Sequence, residues 1–286
     1  MALSSIQQTL WAKQMIALLK TKLISAQIAN TNLVKGNANQ WNIVAAGDVS
    51  TGDYSEDVDI TYAESSDSKV SITPNIDKYV GLLVKDTDLK QTDIDWLPIM
   101  VERATYKLLK DLDTGVLGVY GDAGSDFFED GASADWQFTV TTAAEVPVFF
   151  AKLTKAADDL DWPDQGRYVV GPSGFGEALA TYTGSRASGL GDTSLMRGVQ
   201  GMDFMGWKVF ISNNCTTVST TTHGLAGIIG DGIALGMQVN PSDVESQRAE
   251  SRFGDLVRTR LKGAYKVYRS TTLIDVNFNS TVVATS

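Results

Sequence analysis

The sequence predicts an α+β chain made of a globular body and an extended polar hairpin. Three observations predict it. One long helical period runs from Asp95 to about Tyr120. Two-residue alternation marks strands on both sides of that helix. The stretch from Asp48 to Thr73 alternates in the same way but has almost nothing to bury. With 286 residues the chain is long enough for one large domain or two smaller ones, each with its own core.

The first segment, to about Asn30, carries Ile6, Leu10, Met15, Leu18, Leu19 and Leu23 at helical spacing. It reads as one amphipathic helix or two short ones. Its apolar patch from Met15 to Leu19 is cut off by Lys20 and Lys22, too short for the apolar core of a secretory signal. Gly36 to Gln40 is a polar break. In the arm that follows, Val58, Ile60 and Tyr62 alternate with Asp59 and Thr61. Glu64 to Ser68 reads as a turn, and Val70 and Ile72 alternate with Ser71 and Thr73 on the way back. A two-stranded ribbon is marginal alone in water, so it needs a surface outside itself to lie on.

Lys78 to Lys85 is a strand with charged ends. The long helix then starts at Asp95, a plausible N-cap, with Pro98 inside the first turn. Leu97, Val101, Ala104, Leu108, Leu112 and Val116 recur at three- and four-residue steps, and Gly121 is the expected stop. That makes a rod of roughly 35–40 Å. Gly121 to Asp135 reads as a loop holding Phe127 and Phe128. A second globular region follows, with a helix over Ala144 to Leu160, a buried strand at Arg167 to Val170 and a short helix at Gly174 to Thr181. Strands are expected at Trp207 to Ser212 and Leu225 to Ile229, with a glycine-rich stretch from Gly184 to Gly201 before them. From Gly232 onward the chain is strand-like through Glu245 to Tyr268 and Leu273 to Phe278.

The net charge of -10 argues against a protein whose main work is gripping nucleic acid, because that needs many cations to displace counterions. The charge is also unevenly placed. Residues 1–40 hold Lys13, Lys20, Lys22 and Lys35 and no acid. The arm holds Asp48, Asp53, Glu56, Asp57, Asp59, Glu64 and Asp67 against Lys69 alone. From Glu245 to Arg269 the basic residues Arg248, Arg252, Arg258, Arg260, Lys262, Lys266 and Arg269 outnumber three acids. Two readings are open: solvated surface, or an acidic arm on one copy meeting a basic surface on the next.

Catalytic chemistry finds little support. Gly171-Pro172-Ser173-Gly174-Phe175 has Phe175 where a nucleophile elbow needs glycine. His223, the single histidine, reads as part of a threonine-rich loop and would have to serve any triad with Ser173 or Cys215. The lone Cys215 excludes an internal disulfide and a thiolate cluster. There is no dinucleotide fingerprint and no Walker lysine loop. No apolar run approaches the ~20 residues that span a bilayer. The expectation is no catalytic residue, no cofactor and no metal.

Four blocks carry a resemblance. They are Lys78-Tyr79 to Asp86 with Gln91-Thr92-Asp93 and Glu102-Arg103-Ala104, Gly166-Arg167-Tyr168-Val169-Val170-Gly171-Pro172, Gly206-Trp207-Lys208-Val209-Phe210-Ile211-Ser212-Asn213-Asn214, and Arg248 to Arg258 with Gly263 to Val267. In this order and spacing the chain resembles tailed-phage major capsid proteins of the Hong Kong 97-like fold. The resemblance implies an N-terminal arm over 1–40, an extended hairpin loop over 41–77, a peripheral domain with its spine helix over 78–143, an axial domain over 144–234 and a return to the peripheral domain over 235–286. It also implies a shell of hexamers and pentamers around double-stranded DNA, assembled in the cytoplasm of a host bacterium and ending in the virion. Expected partners are further copies, a separate scaffolding protein, a portal, a decoration protein and weakly held DNA. An encapsulin-like compartment around cargo enzymes, or another virion component, is the alternative. Glu56, Asp57, Asp59, Glu64, Asp67, Arg248, Arg252 and Arg258 are the candidate contacts between subunits.

Overall fold

A computed structural model describes residues 24–36, 38–46, 53, 56, 59, 67–85, 96–137, 145–184, 202–238, 245–249 and 253–279. Three sheets organise them, of two, four and seven strands. The two-stranded ribbon pairs β1 (Trp41–Ala46) with β2 (Asp67–Ile72). In the second sheet β3 (Ile76–Lys85) runs along one side of β12 (Gly254–Val267). Along the other side lie β10 (Ile233–Gln238) and β11 (Glu245–Arg248). The third sheet has the order β4 (Ser125–Phe127), β13 (Leu273–Asn279), β9 (Thr221–Ile228), β5 (Arg167–Gly171), β7 (Trp207–Ile211), β6 (Met202–Phe204). The short β8 (Thr216–Val218) hangs on β9. Short helix α1 (Ser25–Ile28) precedes the long α2 (Trp96–Leu117), and α3 (Glu145–Asp158) and α4 (Ser173–Gly184) complete the set.

The seven-stranded sheet is covered on both faces, and two-residue alternation decides which side chain goes where. Tyr168, Val170, Phe210, Leu225 and Leu273 point into the core they share with α2 and with Leu235 and Leu261 of the four-stranded sheet. Val169, Val209, Ala226, Ile274 and Val276 point the other way, against Phe149, Phe150 and Leu153 of α3 and Leu179 of α4. Phe149 lies at the centre of that second core, within 6.0 Å centroid to centroid of Phe127, Trp136, Phe150, Phe175 and Phe278. The β6–β7 hairpin turns on Met205 and Gly206, both at positive φ (49° and 85°). That pair of conformations matches the twist of a two-residue hairpin, and glycine takes its share without strain.

Several expectations are corrected. The long helix does not stop at Gly121. It ends at Leu117 and tightens into a 3-10 turn over Gly118–Asp122. The tail of the helix makes the shorter-range bonds common at helix ends, so no left-handed glycine is used. Residues 121–135 are not all loop, because Ser125–Phe127 pairs in parallel with β13 and buries Phe127. Asp67 and Ser68 belong to β2 rather than to a turn, and the described partner of β2 is residues 41–46. β12 pairs with β3, whereas β13 enters the seven-stranded sheet beside β9, where its run from Leu273 to Phe278 is fully buried. The first amphipathic segment up to residue 23, the strand proposed at Val58 to Tyr62 apart from Asp59, the cap at Asp95 and the stretch 185–201 lie outside the described residues.

Candidate assembly surfaces

The ribbon is fixed at its root. Trp41 and Ile72 face each other across the ladder and pack with Val34, Ala234 and Ala264 in a small third core. Trp41 Nε1 donates to the Lys35 carbonyl at 3.0 Å, and Lys266 Nζ donates to the Ser71 carbonyl at 3.1 Å. Away from that root Ile43 and Val70 are half-buried and Val44 is 65% exposed. Of the acidic candidates, Glu56 and Asp59 are exposed, and Asp67 opens β2 in register with Ala46. Asp57 and Glu64 lie outside the described residues.

The segment that leads in from the N-terminal side is fixed too. Ser25 donates to the Asp113 carboxylate of α2 through its hydroxyl at 2.6 Å and its N–H at 3.3 Å. Burial pushes the Asp113 carboxyl up, and these bonds oppose the rise. Asn30 then bonds with Ile233 and Leu235 of β10 through its backbone, and its side chain donates to the Gly230 carbonyl.

The basic candidates lie on the four-stranded sheet. β12 alternates, with Leu256, Arg258 and Arg260 exposed and Leu261 and Gly263 turned to the core. The register sets Arg258 between Glu245 of β11 and Gly81 of β3, and Arg248 opposite Asp255. Arg248 and Arg258 therefore share one hairpin, and each already makes contacts within its own chain. Arg252 lies outside the described residues. Arg260 clasps Asp77 of β3 with Nε at 2.6 Å and with Nη2 as well, which holds the Asp77 carboxyl below its usual range.

Sequence reasoning passed over the aromatic part of this face. Tyr79, in register with Arg260, is 80% exposed, and Phe253 beside β12 is 85% exposed. The signal was present in β3, where Val80 and Leu82 alternate with Tyr79, Gly81 and Leu83. An exposed aromatic beside arginines is the composition of an interface centre rather than of a solvated rim.

His223 is not in a loop. It sits on β9, with Nδ1 2.8 Å from Asp275 Oδ2 and its ring stacked on Tyr120. Neither Ser173 nor Cys215 is among those partners, and burial pushes the Cys215 thiol up to about 12. That favours the unreactive thiol over a thiolate nucleophile. Among the described residues no cluster of His, Cys, Asp and Glu is arranged to hold a metal ion, and no helix is long and apolar enough to cross a membrane.

A hairpin on a fixed root, a long helix against a four-stranded sheet and a separate covered sheet together make the Hong Kong 97-like fold of tailed-phage capsid proteins. In particular, the chain is similar to a structure from Mycobacterium phage Che8, with a TM-score of 0.68 and 22% identity over 87% of this chain and 90% of that one. The capsid of Ralstonia phage GP4 matches with a TM-score of 0.60 at 9% identity, over 91% and 89% of the two chains. A virus-like particle from Pyrococcus furiosus matches with a TM-score of 0.54 at 8% identity, over 92% and 95%. No protein-family model matches the chain, and no curated protein matches it at a significant level.

Proposed function

We propose that the chain is the major capsid protein of a tailed phage, a structural protein that assembles with its own copies into a closed icosahedral shell around double-stranded DNA. The observation that carries this is the shared fold over about nine-tenths of both chains in phage structures. Shell geometry gives the parts a purpose. Copies in five-fold and six-fold rings meet neighbours at different angles, and a hairpin anchored at its root can bridge between them. Contacts made by the hundred need not be individually strong. An acidic chain also limits adhesion to DNA that has to leave again.

Within this reading, residues 78–143 and part of 235–286 act as the peripheral domain and 144–234 as the axial one. A scaffolding protein, a portal and a decoration protein are its partners, assembly takes place in the host cytoplasm, and the role calls for no catalysis. The acidic arm residues Glu56, Asp57, Asp59, Glu64 and Asp67 meet the hairpin of Arg248, Arg252 and Arg258 on a neighbour. Reversing Arg252 and Arg258 together is expected to abolish most particle formation while circular dichroism of the subunit stays unchanged. Normal particle yield would remove that charge pairing.

The match to the Pyrococcus particle favours a second reading, a compartment that encloses protein cargo. Electron microscopy of the purified protein, expressed with and without its neighbouring genes, tests the shell. Closed particles or rings of five and six are expected, and nuclease-protected DNA inside them separates virion from compartment. A monomer or dimer under every condition overturns both.

A further inference from the structure

We propose that His223 and Asp275 form a proton-dependent clamp that fastens the end of the long helix to the seven-stranded sheet. The clamp belongs to one folded chain, so it stands or falls separately from the shell reading. It begins with strand alternation. On β13 the core-facing Leu273 is followed at two-residue steps by Asp275 and Asn277, and on β9 His223 lies two residues from Leu225. All of these face α2, so a polar pair sits on the side of the sheet where the helix ends. The 3-10 turn that continues α2 brings Tyr120 over the imidazole, with ring centroids 3.9 Å apart and planes 8° from parallel.

The pair is closely enclosed. Asp275 is 4% exposed and Asn277 2% exposed. Only one carboxylate oxygen of Asp275 has a partner, the His223 Nδ1 at 2.8 Å, while Oδ1 and Asn277 Nδ2 have none. The titratable groups around the pair are Tyr120 from the 3-10 turn, Asp126 in register with Asp275 on β4, and Asp135 from the segment after β4. Asp135 accepts a bond from Thr221 Oγ1 at 2.6 Å. The residue opposite His223 on β8 is the uncharged Thr216.

A proton on Asp275 therefore helps. On the carboxyl it removes the cost of a buried charge. The sign follows from Asp275. Burial pushes its carboxyl up from 3.8 to about 6, with His223 pulling it down and Asp126 and Asp135 pushing it further up. A folded-state site that holds its proton more tightly than the unfolded chain adds stability in acid, and that contribution is lost as the pH rises through about 6. The joint is tight in acid and looser in neutral solution, and what it joins is the long helix and the sheet.

Hydrogen exchange of the full chain tests this at the Ala123 amide, which bonds to the Tyr120 carbonyl at 3.0 Å. Protection, corrected for the intrinsic rate, is expected to fall about tenfold from about pH 5 to about pH 7.5, the equivalent of one unit of pKa difference. Asp275→Asn should abolish the pH dependence. Tyr120→Leu should abolish it as well while leaving the His223–Asp275 pair in place, and it carries the test if the first variant does not fold. Because His223 is the single histidine, its ring resonances in either variant report the pair directly. Protection in the native chain that does not change with pH, or an unchanged slope in Tyr120→Leu, overturns the clamp.

Discussion

Phe149→Ala is expected to lower the stability of the subunit by about 4 kcal/mol, the upper part of the range for aromatic truncation in a core. Phe149 is fully buried on α3 and has five aromatic neighbours: Phe127 of β4, Trp136 of the segment after it, Phe150 beside it on α3, Phe175 of α4 and Phe278 of β13. These come from five parts of the chain, and several of the rings meet at edge-to-face or tilted angles that add to simple burial. The ring therefore fills a space that no single neighbour can move to occupy. Equilibrium denaturation of the dissociated subunit should show the loss with little change in slope, and a particle-forming chain should lose yield at growth temperature. A loss below about 1 kcal/mol would mean that the cluster can collapse around the gap.

Arg167→Ala is expected to cost about 3 kcal/mol. The residue is only 3% exposed, at the start of β5. Its Nη2 donates to Asp158 Oδ1 at 2.7 Å, to the Trp162 carbonyl at 2.7 Å and more weakly to Asp164 Oδ1 at 3.4 Å, and its Nε donates to the Pro163 carbonyl at 2.8 Å. The guanidinium also lies over the Trp207 ring, 5.8 Å from its centroid. It therefore ties the loop after α3 to the start of β5, an interior strand of the sheet. The two carboxylates reach water, with Asp158 56% and Asp164 96% exposed, so most of the cost comes from the carbonyls left without a donor. Asp158→Asn and Asp164→Asn should then cost well under half as much, and Arg167→Lys should recover little because an ammonium lacks the planar fork. Equal losses from Arg167→Ala and Asp158→Asn would reassign the energy to the ion pair.

Much of this architecture was legible in residue order because it rests on short-range rules. The alternation in Lys78 to Lys85, the helical period from Leu97 to Val116 and the unbroken run Arg167 to Val170 each appear where local pattern and burial agree. One strand of the ribbon was legible, in the alternation of Val70 and Ile72. Its partner strand at Trp41–Ala46 was not, because WNIVAA lacks the alternation of a two-faced strand and follows a polar break.

The candidate contacts were chosen by charge. Charge alone marked Arg248 and Arg258, but the exposed Tyr79 and Phe253 carry no charge to mark them. His223 was misread because threonines around a histidine look like a turn until a neighbouring strand supplies their hydrogen bonds.

By itself the sequence determined the class of the fold, the long helix, the uneven charge and the want of catalytic motifs, since composition and near-neighbour spacing are enough for these. Only the tertiary structure decided that β13 leaves the sheet of β12 for that of β9, that Phe127 pairs in a strand, and that His223 meets Asp275 from 52 residues away. Each depends on which distant segments come to lie side by side. A strand's own residues fix which of its faces is buried but not which edge it will find.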